Sequence, residues 1–230
     1  MSVLPSRAMR TDINDADYRL LLRWWLGLPI LPIGQTLPGC PLCGDAVDPF
    51  GDHLVCCEKN GNTRRHNALR DAFFDVLVAS AIPSAKEVAC GGQQRPADIL
   101  LLTWERGRDV AVDFTVTHPL GLSQHPLIVK NAARHCQRAE AAKTAAEGNL
   151  CQRAGWGFAP AAFTPWGGSG PTARALLHEV GRRATAHLAG WPKQRRLREI
   201  HEGLSLTLAR EVVRQLSLRN RVQDACIGDV

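Results

Sequence analysis

A chain of 230 residues, 45% hydrophobic and 22% charged, is long enough to bury a core and too apolar for global disorder. Its 28 lysines and arginines against 22 acids leave a net charge of +6, which suits a polyanionic partner without requiring one. Residues 1–10 lack the apolar run of a signal peptide, and Leu20 to Ile33 is interrupted by Arg23, Gly27, Pro29 and Pro32, too soon to span a bilayer. The chain is therefore expected to be intracellular with no membrane partner, and its cysteines to be thiols or metal ligands rather than disulfides.

Tyr18 to Leu28 reads as a short helix, ended by Gly27 and Pro29. Residues 29–39 are turn-rich, 40–57 hold a Cys/His cluster, and 58–63 are polar and loop-like. Residues 64–81 are helical, with Leu69, Phe73, Val76 and Leu77 on one stripe and Pro83 as the stop. Lys86 to Ala89 reads as a short strand. Ile99 to Trp104 is a continuous apolar run, as in a strand buried on both faces. After a turn at 105–108, Val110 to Val116 reads as a second such strand with Asp113 in its middle. Residues 130–147 are an Ala-rich helix, Gly157 to Thr164 a last strand, and 172–188 and 204–217 two further helices. The order is α/β. The expected division is 1–62 for an N-terminal helix and metal knuckle, 63–168 for the core, and 169–230 for a C-terminal helical extension.

Cys40-Pro-Leu-Cys43-Gly44 is a close cysteine pair ending in glycine, and His53 and Cys57 follow. Two short-spaced pairs supply the four soft or borderline ligands that tetrahedral zinc takes, leaving no position for water, so such a zinc is structural. Cys56 competes with Cys57; Cys57 is preferred because three intervening residues let it point the same way as His53.

Asp98 opens the first buried strand, in Arg95-Pro96-Ala97-Asp98, and Asp113 lies inside the next, between Val112 and Phe114. A carboxylate in an apolar strand is costly unless a cation or hydrogen bonds compensate it. Taken singly, Asp98 capping a turn and Asp113 pairing with an arginine account for each. Taken together on adjacent strands, they repel, and a divalent cation relieves the repulsion; oxygen ligands favour Mg²⁺ or Mn²⁺.

The ordered set resembles the restriction-like (PD-(D/E)XK) endonuclease region of site-specific non-LTR retrotransposons and of reverse-transcriptase-associated proteins. It comprises Cys40, Cys43, His53 and Cys57; Arg65-His66-Asn67; Arg95-Pro96-Ala97-Asp98; Asp113-Phe114-Thr115; and Lys143. The resemblance covers about residues 40 to 168. It implies a mixed sheet flanked by helices, preceded by a zinc knuckle. It further implies Mg²⁺- or Mn²⁺-dependent cleavage of DNA, with Asp98 and Asp113 holding the metal. The lysine usual two positions after the second acid is Thr115 here, and the retrotransposon pattern often moves it to the following helix, which makes Lys143 the substitute. One residue separates Pro96 from Asp98, and the tyrosine that tends to follow the helical lysine has no counterpart. The alternative implied by these departures is a degenerate nuclease fold that binds nucleic acid. DNA is the expected partner, with RNA or a reverse transcriptase domain outside this chain as others, and the nucleus as one location.

Arg64, Arg65 and His66, at the start of the helix after the knuckle, and Arg95 are the candidate phosphate contacts, a solvated charged helix start being the other reading of the first three. Lys193, Arg195, Arg196 and Arg198 form a second basic cluster, more in keeping with a solvated helix face because Glu199 and Glu202 are close. His118 and Glu87 are weaker candidates near the metal. Glu140, one turn before Lys143, either assists it or pairs with it. Trp156 and Trp166 read as core, with base stacking as the other use of an exposed ring.

Overall fold

Alternation along a strand sends successive side chains to opposite faces, and this decides how the sheet sits. The computed structural model describes residues 13–34, 37–90, 97–119 and 132–228. In chain order the elements are α1 (Asp15–Trp25), α2 (Asp52–Cys56), α3 (Asn62–Ala79), β1 (Ser84–Lys86), β2 (Ile99–Glu105), β3 (Arg108–Val116), α4 (Ala132–Arg153), β4 (Gly157–Phe163), α5 (Pro171–Ala184), α6 (Gly190–Leu216) and α7 (Arg219–Gly228). The strands form one mixed sheet in the order β1-β2-β3-β4. β1 with β2 and β2 with β3 are antiparallel; β3 with β4 is parallel, the two joined through α4.

Ile99, Leu101, Val112 and Phe114 face α3, α5 and α6, packing with Leu69, Phe73, Leu176, Leu177, Leu204 and Leu208. The Phe73 and Phe114 rings meet edge-on at 5.1 Å. Leu100 and Ala111 point to the other face, which Cys151 of α4 covers. Asp113 follows Ala111 by two residues and therefore shares its face. β2 is buried on both faces only over Ile99 to Leu101; beyond, its ladder is irregular and Thr103 takes a left-handed backbone, its N–H caught by Asp109 Oδ1 at 2.8 Å.

A second core lies around the cysteine-rich segment. Leu20, Leu21 and Trp24 of α1 meet Leu54 and Val55 of α2 and Ala209, Val212, Val213 and Leu216 of α6. One helix, α6, thus completes both cores. It is longer than the expected 204–217: the charged stretch before Leu204 continues the helix, with Pro192 in its first turn, where proline is tolerated. The short α2 and the terminal α7 were not expected. No helix among the described residues is long and apolar enough to cross a membrane.

Candidate metal centre and acid site

The first cysteine pair sits on a tight turn. Gly44 N–H donates to Cys40 O at 2.8 Å and Cys40 N–H to Asp45 O at 2.7 Å, with Gly44 in the left-handed region. Asp48 then sets the second pair: its carboxylate accepts from the N–H groups of Phe50, Asp52 and His53, at 2.9, 3.1 and 2.7 Å, and starts α2. The result brings one ligand atom each from Cys40, Cys43, His53 and Cys57 to within 4.8 Å of one another. Cys43 Sγ is 3.2 Å from His53 Nε2, and Cys40 Sγ is 3.9 Å from Cys57 Sγ. Three thiols and an imidazole in this arrangement can hold a metal such as zinc. Cys56, the competing ligand, is not in the group; burial, with the Asp52 charge adding to it, pushes its thiol up to about 12. Within the cluster the thiols share their protons: burial works to raise Cys40, but hydrogen bonds from Leu42, Cys43 and His53 bring it down to about 7, while Cys43, against a backbone hydrogen bond at Asp45 that lowers it, is pushed up to about 12 by burial and the Cys40 and Cys57 thiols.

Among the described residues, this is the group of three or more ligand-type side chains that converges. The acid site is built differently, from two carboxylates and an ammonium. Asp98 stands just before β2. Its N–H continues the ladder to Val112 O at 2.9 Å, and its side chain extends it: Phe114 N–H donates to Asp98 Oδ2 at 2.7 Å. Asp98 Oδ1 is 2.8 Å from His66 Nε2, near the start of α3. Asp113, next to Phe114, is 8% exposed and points to the α4 face. Lys143 of α4 lies there, its Nζ 2.9 Å from Asp113 Oδ2. Burial raises the Asp113 carboxyl above its ordinary value; Lys143 opposes this, Asp98 adds to it, and His66 opposes it. The structure therefore sets Lys143 against Asp113 and His66 against Asp98, with the Asp98 charge near enough to be felt at Asp113. His66 is expected from the sequence at a phosphate; the structure turns it to the Asp98 carboxylate instead.

The other candidates are placed as follows. Arg65 is 3% exposed and has no face to offer a phosphate: its Nη1 donates to Val55 O at 3.2 Å and Gln215 Oε1 at 2.7 Å, fastening α3 to α2 and α6. This corrects the expectation that it contacts nucleic acid. Arg64 is exposed, with Glu211 at 3.3 Å. Arg95 and Pro96 lie outside the described residues. Glu87 pairs with Arg70. His118 is buried against the stacked rings of Trp24 and Trp166, 3.6 Å from Asp52 Oδ1, and burial pushes its imidazole down to about 3. Trp166 packs against the second core and Trp156 against the α4 face of the sheet. Glu140 neither reaches the acids nor pairs with Lys143. It accepts from the N–H groups of Ala162, Thr172 and Ala173, at 3.3, 3.1 and 3.0 Å, and so caps α5 from outside. In the basic cluster, Glu199 takes Arg195 at 2.9 Å and Arg196 at 3.7 Å, while Trp191 is exposed.

Fold and sites together define a mixed α/β protein with a four-stranded sheet and, packed on α1 and α6, a Cys/His cluster that could hold a metal. No protein-family model matches the sequence, and no curated protein or solved structure matches it significantly.

Proposed function

We propose that this chain is a metal-dependent DNA endonuclease with a restriction-like core, and that the Cys40, Cys43, His53 and Cys57 module holds structural zinc. The observation that carries the reading is the approach of Lys143 to Asp113, at 2.9 Å, beside an Asp98 tied to the neighbouring Phe114. Asp98 and Asp113 are the residues that would hold Mg²⁺ or Mn²⁺. They fit it: both offer hard oxygens, and the raised Asp113 carboxyl marks a place where added positive charge is stabilising. Bound there, the cation acidifies a water and screens charge building on a phosphodiester. Lys143 brings its ammonium to the same carboxylate, where it can orient the attacking water or neutralise charge as the bond breaks. The polyanionic substrate agrees with the net charge of +6. The resemblance of the ordered motifs to retrotransposon endonuclease regions supplies DNA as that substrate, a mobile-element origin, a nuclear setting and a reverse transcriptase domain as partner.

One observation favours a second reading, a nucleic-acid-binding module without cleavage. Both oxygens of Asp98 are already engaged, by His66 and by Phe114 N–H. Incubating supercoiled plasmid with the zinc-loaded chain and Mg²⁺ or Mn²⁺ separates the two. Nicking that disappears in a folded Asp113→Ala variant supports the nuclease. Salt-sensitive DNA binding with no nicking by the parent chain supports the module.

A further inference from the structure

Successive residues of a helix leave it about 100° apart. Arg65, ending the first turn of α3, and His66, opening the second, therefore run to different places. Arg65 goes inward to the metal module and α6, ending on Val55 O and Gln215 Oε1. Val55 lies only two residues before Cys57, a member of the metal cluster. Gln215 in turn donates to Asn60 O and Asn62 Oδ1, both at 2.9 Å, and Asn60 donates to Leu54 O at 2.7 Å. His66 goes to the acid site, to Asp98 Oδ1.

Asp98 is thus gripped twice. The Phe114 N–H belongs to the sheet and is held by the ladder. The imidazole belongs to α3, and its position is only as good as the first turn of that helix. That turn begins at Gly61, which has no side chain to cap it. What fixes it is the buried network around Arg65, anchored on the metal module.

We infer that His66 is a positioning residue for Asp98, and that Arg65 ties it to the Cys/His module, so that the module and the acid site are energetically coupled. The inference rests on the reading of Asp98 and Asp113 as a cation-binding pair. With its proton on Nε2, His66 donates to Oδ1 and, together with Phe114 N–H, holds the carboxylate in one orientation. The ring reaches the acid from outside the sheet, so it orients Asp98 without being part of the ladder.

The test is Mn²⁺ binding to the zinc-loaded full chain, read by the electron paramagnetic resonance signal of unbound Mn²⁺, with zinc content and melting temperature measured on each protein. His66→Ala is expected to weaken Mn²⁺ binding about tenfold, as loss of a ligand-orienting hydrogen bond typically does. His66→Gln, whose amide can still donate, is expected to recover part of that loss. Arg65→Lys, with zinc retained, is expected to weaken Mn²⁺ about threefold from a distance. A folded, zinc-loaded His66→Ala that binds Mn²⁺ as the parent does overturns the inference and leaves the cation-binding reading intact. A parent chain that binds no Mn²⁺ at the acid pair overturns both.

Discussion

Glu140 is a residue whose removal should be felt far from any chemistry. It is 4% exposed, on α4, and its carboxylate meets the start of α5. That helix begins at Gly170, which has no capping side chain, and continues with Pro171, which has no N–H; the first donors needing a partner are those of Thr172 and Ala173. Glu140 takes both, and takes the N–H of Ala162 from β4 as well. Glu140→Ala leaves three largely buried donors unpaired. An unsatisfied buried group costs about 1–3 kcal/mol, and the lost attraction between the carboxylate and the positive helix end adds up to about 2 kcal/mol. The donors share one acceptor and one cavity, so the costs do not simply sum, and the expected loss is about 3–5 kcal/mol. Glu140→Gln keeps an acceptor oxygen without the charge and is expected to lose about 1–2 kcal/mol. Urea denaturation of the zinc-loaded proteins, with slopes compared, measures both. A Glu140→Ala loss below about 1 kcal/mol would refute the capping argument. So would an unchanged stability accompanied by lost Mn²⁺ binding, which would move Glu140 into the acid site.

Gly170→Ala tests the same cap from the other side: a Cβ there falls on the Glu140 carboxylate, at an ordinary φ of −69°, so the cost in the folded state is steric. A loss of about 1–3 kcal/mol in thermal melting is expected, and parent-like melting would show that Glu140 has another place to go. Zinc content measured with a chelating dye should fall sharply in Cys57→Ser and stay at the parent level in Cys56→Ser, since only Cys57 joins the cluster; equal loss in both would count against that ligand set. His118 is held neutral, its folded value of about 3 lying well below the ordinary 6.5, while the unfolded chain takes up the proton freely. Its contribution to stability is therefore complete above about pH 6.5 and is lost as pH falls toward 3. His118→Asn should flatten the dependence of melting temperature on pH over that window, and a profile parallel to the parent's would contradict it.

Periodicity and apolar runs made β2, β3, β4 and the α3 and α4 helices legible, because both signals are local, whereas β1, expected at Lys86 to Ala89, lies at Ser84–Lys86, too short to carry a pattern. The metal cluster was legible for the same reason: spacing along the chain nearly determines which cysteines meet. Arg65 was misread because a charge at a helix start is usually solvated, and what buries it, Gln215, stands 150 residues away. Glu140 was misplaced for a related reason. Its spacing to Lys143 is visible in the sequence, whereas its true partners are backbone groups of β4 and α5. The first half of α6 was lost because Lys193 to Glu202 carries little apolar pattern, and only the contacts of Ile200 with the sheet core reveal it as helix.

The sharing of α6 between the two cores bears on how the chain comes apart. Ile200, Leu204 and Leu208 belong to the sheet, Val212, Val213 and Leu216 to the metal module, and an unbroken run of helix connects them. Withdrawing either half of that helix strips apolar cover from one core and frays the other, since helical hydrogen bonds pass directly between them. The two halves of the protein should therefore melt as one cooperative unit, with amides in the sheet and in the knuckle exchanging through the same opening event. If the Cys/His cluster holds a metal, its loss at one end would then shorten the lifetime of the folded sheet at the other.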